Sequence, residues 1–219
     1  TRRGQGFDVV AGDLTVAAEN VVVATGAYHT PRVPEFADQL RPDILQIHSS
    51  AYRNPAQRRE GGVLVGGAGN SGAEIALEVA RYNPTWLSGR DTGQEPTRAG
   101  SLTDRLVQPL MWFAATRGLT VTSPVGRTVR DHFLDPPRGI PLGRVRRKDL
   151  TAAGIERVPR TVGVQDGNPL LDDGSVLDVA NLLWCTGFVL DLSWIDVPLI
   201  GDHGLPEQER DIVSTQPGL

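Results

Sequence analysis

The sequence predicts an α/β fold with one complete Rossmann-type unit and an incomplete partner. Three observations lead there. Residues 61–81, GGVLVGGAGNSGAEIALEVAR, read as strand, glycine turn and helix. A second apolar strand, residues 84–88, follows that helix. Two matching β-units, residues 7–26 and 170–187, flank the whole and end alike in Thr-Gly.

Val63, Leu64 and Val65 are too short a run for a helix and suit a buried parallel strand. Gly67, Gly69 and Gly72 then fit G-x-G-x-x-G. The first glycine permits a tight turn, the second lets a pyrophosphate approach the backbone, and the third lets helix and strand pack closely. From Ala73 the residues read as helix, with Gly72, Ala76 and Ala80 as a small-residue stripe and Ile75 and Val79 beside it. Its unpaired N–H groups and positive dipole end make an anion site. A rival reading takes Ser71 as a nucleophile on a strand–turn–helix elbow, but Ala73 stands where that motif needs its last glycine.

The second strand ends in Ser88, Gly89 and Arg90, where a dinucleotide fold selects its ribose. A hydroxyl and a guanidinium suit a 2′-phosphate, hence NADP(H). Asp91 is the counterweight, because a carboxylate turned inward would favour NAD(H).

The other elements follow from local pattern. Residues 7–10, 14–17 and 21–24 read as strands around a Gly12-Asp13 turn, the last of them buried. Residues 104–117 read as a helix carrying Leu106, Val107, Leu110, Met111 and Phe113, with Pro109 as a kink. The segment around Pro136, Pro137 and Pro141 reads as a loop and residues 149–154 as a turn. Residues 155–164 open a second meander, with an Asp173-Gly174 turn and strands at 176–179 and 182–185. The tail beyond Gly201 is polar and loop-like. The paired endings, NVVVATG and NLLWCTG, imply two related domains, with a Cβ-free backbone able to lie against a flat ring or phosphate.

Bulk composition narrows the function. With 39% apolar and 22% charged residues, the chain has the make-up of a globular protein. A net charge of −4 argues against nucleic-acid and anionic-membrane partners. The basic cluster of Arg144, Arg146, Arg147 and Lys148 reads as solvated surface. Cys185 is the sole cysteine, which excludes an internal disulfide and a dithiol redox centre and suggests a reducing, cytoplasmic setting. His29, His132 and His203 show no metal-ligand spacing, and no metal is expected.

Taken in order, VVVATGAYHTPRVP (21–34), QIHSSAY (46–52), VLVGGAGNSGAEIA (63–76) and LLWCTGF followed by Asp191, Ser193 and Trp194 resemble the flavin-containing monooxygenases, above all their compact bacterial members. The resemblance covers nearly the whole chain. It implies a two-dinucleotide-binding-domain flavoprotein: a Rossmann-type NAD(P)-binding domain inserted in an FAD-binding domain, here incomplete. Residues 1–57 would be a partial FAD-binding domain, 58–187 the NADP(H)-binding domain, and 188–219 the return. FAD and NADP(H) are the implied cofactors, with oxygenation of a small molecule at soft nitrogen or sulfur by O2. The implied cofactor-binding residues are Gly67, Gly69, Asn70, Ser71 and Gly72 at the NADP(H) loop, and Ser88 and Arg90 at the 2′-phosphate. Thr25 and Gly26 fall in the first linker, and Thr186, Gly187 and Phe188 in the second. His48 and Tyr52 match the end of an F-x-G-x-x-x-H-x-x-x-aromatic fingerprint, but Pro42 and Ile44 replace its Phe and Gly, so ketone oxygenation is not supported.

No catalytic residue is singled out, and a homodimer is left open. No second G-x-G-x-x-G precedes Phe7, and a βαβ unit needs about 30 residues. The expectation is an internal piece of a monooxygenase that does not hold FAD by itself. Two other readings remain: a non-catalytic NAD(P)-binding module, and a flavin disulfide reductase, which would need the missing cysteine pair.

Overall fold

The protein is described by a computed structural model covering residues 1–95, 101–118, 124, 141–201, 206–209 and 212–219. Along the chain run β1 (Arg2–Arg3), β2 (Gly6–Ala11), β3 (Leu14–Ala18), β4 (Thr30–Pro31), β5 (Leu45–His48) and β6 (Val63–Gly66). Helix α1 (Asn70–Val79), β7 (Thr85–Ser88) and helix α2 (Leu102–Gly118) follow. After helix α3 (Arg147–Ala152) come β8 (Glu156–Val158), β9 (Thr161–Gln165), β10 (Asn168–Leu171), β11 (Asn181–Trp184), β12 (Phe188–Val189), β13 (Gln208–Glu209) and β14 (Ile212–Val213). These divide into two units: Thr1–Thr30 with Phe188–Leu219, and Pro31–Gly187.

The larger unit is built on a parallel sheet in the order β5-β11-β6-β7-β8. Residues 63–65 and 182–183 are apolar without alternation because both faces of their strands are covered, and all five are at most 1% exposed. Successive side chains still part to opposite faces. Val63, Val65, Leu87 and Leu183 pack with Ala73, Ala76 and Val79 of α1 and with Leu142, Leu150 and Ile155. Leu64, Leu182 and Trp184 pack on the other face with Ala37, Leu40, Ile44 and Val179. The buried positions of α1, residues 72, 73, 76 and 79, follow helical spacing, while Ile75 and Ala80 are partly buried beside them.

The smaller unit holds β1-β2-β3, an antiparallel sheet whose β2–β3 hairpin turns at Gly12, φ 60°, and Asp13. Among its described residues only Phe7 and Leu199 are buried apolar side chains.

Several expected elements differ. Residues 21–24 form no strand, and Val22 is 88% exposed. An apolar run becomes a strand only with a neighbour to pair with, and among the described residues only the Val21 N–H finds a backbone acceptor, the Gly218 carbonyl at 2.7 Å. The matching run, residues 181–184, has β5 and β6 on either side and is buried throughout. The two units therefore do not share the layout that their endings suggested. Residues 176–179 carry a single bridge, Leu170 to Val176, in place of a strand. Residues 147–152 are helical where a turn was expected. The Arg146 N–H donates to the Asp149 carboxylate at 2.9 Å, capping α3, and Leu150 is buried beneath it. Helix α2 forms with Pro109 inside it, yet Leu106, Leu110 and Phe113 are exposed. The loop residues Pro136 and Pro137, with His132 and His203, lie outside the described residues. No described helix is long and apolar enough to cross a membrane.

Candidate functional site

The site begins at the bend between β6 and α1. Gly67 sits at φ 115°, and a Cβ on it would lie 2.2 Å from the Cys185 carbonyl oxygen. A Cβ on Gly72 would meet the Gly67 carbonyl oxygen at 1.8 Å. The protein's own packing demands both glycines. Gly69 is different. Its φ of −77° is ordinary, it caps α1 without a side-chain hydrogen bond, and nothing lies within 4 Å of where its Cβ would point. Open space at the N-terminus of a ten-residue helix suits an anion lying on the backbone.

That bend floors a cleft of about 1050 Å3 across the carboxyl ends of β11, β6 and β7. Residues 66–69, 88–93 and 184–187 line it, together with Pro34, Phe36, Pro141, Arg160 and Thr161. The strand order changes direction at β6, with β7 and β8 to one side and β11 and β5 to the other. Open α/β sheets bind ligands at such a switch point.

Among the residues expected to bind cofactor, Gly67, Gly69, Ser88, Arg90, Thr186 and Gly187 line the cleft. Ser88, however, is 1% exposed. Its Oγ donates to the Pro159 carbonyl at 2.9 Å, accepts the Thr161 N–H at 2.9 Å and lies 2.9 Å from Thr161 Oγ1. That hydroxyl ties β7 to the chain after β8. Arg90 is exposed and, among the described residues, makes no hydrogen bond or ion pair. Asp91 does not stand free: its Oδ1 accepts the Gly93 N–H at 2.9 Å and its Oδ2 lies 2.6 Å from Arg147 Nη2. The Gly93 N–H, then Arg147, hold this carboxyl below the usual carboxylate range.

Asn70, Ser71 and the buried Gly72 form the first turn of α1, but none of the three lines the cleft. The Asn70 amide donates to the Pro141 carbonyl at 3.2 Å and accepts the Gly143 N–H at 3.0 Å, fastening residues 141–143 beside the bend. His48 Nδ1 accepts the Ser50 N–H at 3.2 Å, so Nε2 carries the proton and donates to the Gly187 carbonyl at 3.0 Å. The same carbonyl accepts the Arg32 N–H at 3.0 Å, and Thr186 Oγ1 donates to the Arg32 carbonyl. Tyr52 donates its hydroxyl to Glu78 of α1 at 2.9 Å; burial, then that bond, push its pKa upward. Thr25, Gly26 and Phe188 belong to the smaller unit. There Gly26 adopts φ 72°, its carbonyl lies 3.1 Å from His29 Nδ1, and Phe188 meets Tyr28 edge-on at 5.3 Å.

The sequence reading missed Arg160, Thr92, Phe36 and Trp184. Arg160 reaches the cleft because β8 lies beside β7, with Val158 opposite Ser88. No local motif announces that pairing. Like Arg90, it has no hydrogen-bond or ion-pair partner for its side chain among the described residues. Among the described residues, Thr92 Oγ1 is buried with no hydrogen-bond partner, a polar atom in the wall of an open cleft. Trp184 is legible in hindsight, as the last residue of a strand whose carboxyl end faces the cleft.

The pyridine nucleotide-disulphide oxidoreductase family model matches residues 1–101. The chain is 35% identical over 216 residues to a CzcO-like oxidoreductase of Geobacillus kaustophilus, covering 96% of this chain and 59% of that protein. It is 32% identical over 200 residues to the oxidoreductase CzcO of Bacillus subtilis, covering 89% of this chain and 53% of that protein. It thus spans somewhat more than half the length of the curated relatives it matches. The fold is that of a flavin-containing monooxygenase from Stenotrophomonas maltophilia, with a TM-score of 0.62 at 23% identity, covering 100% of this chain and 58% of that one. Sequence and fold agree: the chain is similar over most of its length to CzcO-type oxidoreductases and has the fold of a flavin-containing monooxygenase.

Proposed function

We propose that the larger unit is the NADP(H)-binding part of an FAD-dependent monooxygenase that oxygenates a small molecule at soft nitrogen or sulfur. The observation that carries the nucleotide reading is Gly69: its Cα faces open space at the head of α1, while the glycines on either side are filled against protein. A diphosphate resting there would take the backbone N–H groups at the start of α1. Arg90 and Arg160, without a side-chain hydrogen-bond or ion-pair partner among the described residues, would hold a 2′-phosphate, and Thr92 Oγ1 is a further hydrogen-bonding group in the same cleft lining. Reduced nicotinamide supplies a hydride to flavin, and this chain's part in that chemistry is to bind, orient and exclude water. His48 and the Arg32 N–H both donate to the Gly187 carbonyl on the cleft lining, and Thr186 Oγ1 donates back to the Arg32 carbonyl.

The smaller unit has no α-helix among its described residues, hence no strand–turn–helix to seat the pyrophosphate of FAD. For the 219 residues alone this favours a second reading, dinucleotide binding without turnover. Calorimetric titration with NADP+ and NAD+ tests the first reading. Tighter binding of NADP+, abolished by Gly69→Val with the circular dichroism spectrum unchanged, is the expected result. Unaltered binding in Gly69→Val would refute the bend as the diphosphate site. Flavin absorbance in the purified chain, with NADPH oxidation, would refute the second reading.

A further inference from the structure

A carboxylate just past the second strand of a nucleotide fold accepts hydrogen bonds from a ribose 2′-hydroxyl and repels a 2′-phosphate. Asp91 occupies such a place, three residues beyond the end of β7 and on the cleft wall. Left to itself it would oppose the arginines around it. We infer that Arg147 is a specificity-determining positioning residue, pairing with Asp91 so that this carboxylate is kept from the adenosine ribose and the 2′-phosphate is left to Arg90 and Arg160. The inference rests on the NADP(H) reading above.

The geometry accounts for how one surface arginine can do this. Both Asp91 oxygens already have a donor, Gly93 N–H at 2.9 Å on Oδ1 and Arg147 Nη2 at 2.6 Å on Oδ2. The backbone bond fixes the carboxyl plane; the guanidinium cancels its charge. An exposed ion pair between two freely moving side chains has little effect. Here the two side chains are 60% and 46% exposed, but the segments carrying them are stitched together. Leu142 N–H donates to the Gly93 carbonyl at 3.1 Å, and Glu95 N–H donates to the Leu142 carbonyl at 3.0 Å. Arg146 Nη1 donates to the Glu95 carbonyl at 2.7 Å, and Asp149 caps the helix on which Arg147 is the first residue. Arg147 is therefore delivered to Asp91 by the backbone. What reads in the sequence as a solvated basic cluster contains two arginines with defined partners, Arg146 on the Glu95 carbonyl and Arg147 on Asp91.

The test is a double-mutant cycle on the 219-residue chain, with dissociation constants for NADP+ and NAD+ measured in wild type, Arg147→Ala, Asp91→Ala and the double variant. Freed of its partner, Asp91 should lower the preference for NADP+ over NAD+ by about threefold to tenfold in Arg147→Ala, as expected for one unscreened charge near the surface. Arg147→Lys should restore part of it. In the Asp91→Ala background, removing Arg147 should leave the ratio nearly unchanged. An unaltered ratio in Arg147→Ala would overturn the inference. So would an equal fall with and without Asp91, since Arg147 would then act on the phosphate directly. Wild type with no preference for NADP+ would instead overturn the cofactor reading beneath it.

Discussion

Three glycines in one motif have three different jobs, and substitution separates them. A methyl group on Gly72 would drive into the Gly67 carbonyl oxygen, so Gly72→Ala should cost about 3 kcal/mol or more of stability, read from a denaturant midpoint. Gly69→Val should leave that midpoint nearly unmoved, because its side chain points into open space. A Gly72→Ala protein as stable as wild type would contradict the packing described here. The motif itself was legible from spacing. So was the division of roles among its glycines; what was not legible is that Gly67 presses on the Cys185 carbonyl, because the two approach only once β11 lies beside β6. Cys185 tells the same story. Burial pushes its thiol up to about 12, so it should resist iodoacetamide at pH 8 in the folded protein and react once unfolded. The sign follows from that raised pKa. The stability linked to this thiol is whole below about pH 8.5, the unfolded value, and is lost as pH rises from there toward 12.

At the scale of elements, parallel strands and their helix were the readable part. Apolar runs at 63–65 and 182–184, and the small-residue stripe of α1, became the centre of the sheet. Failures came where an element depends on a neighbour. Residues 21–24 have a strand's composition and, among the described residues, no partner strand, whereas α3 forms from a polar stretch because Asp149 caps it and Leu150 anchors it. Tyr52 and His48 show the same dependence in a motif. The resemblance assigns both to cofactor binding; the structure joins Tyr52 to Glu78 across to α1 and His48 to the Gly187 carbonyl. Tyr52→Phe should therefore lower stability by about 1.5–3 kcal/mol, the range for a hydrogen bond to a charged group, and leave the NADP+ dissociation constant within about twofold. A loss of affinity with stability intact would return Tyr52 to the ligand.

For the whole molecule, the uneven distribution of buried side chains sets the last expectation. Both apolar clusters lie within Pro31–Gly187, while the unit formed by Thr1–Thr30 and Phe188–Leu219 buries only Phe7 and Leu199 among its described apolar residues. Val9, Val10, Leu14 and Val16 of its hairpin are exposed, and so is Val22. Local opening free energy tracks buried apolar contact, so the two units should exchange amide hydrogens at different rates. Peptides covering β6, α1 and β11 should be protected by the full unfolding free energy, and those covering β2, β3 and residues 21–24 far less. NADP+ should slow exchange further at residues 66–72 and 88–93, which belong to the cleft or the head of α1, and leave the hairpin unchanged. Mass-resolved hydrogen exchange with and without NADP+ reads both effects at once. Equal protection of β2 and β6 would mean that the smaller unit has a core of its own; ligand-induced protection confined to the hairpin would move the nucleotide site out of the cleft.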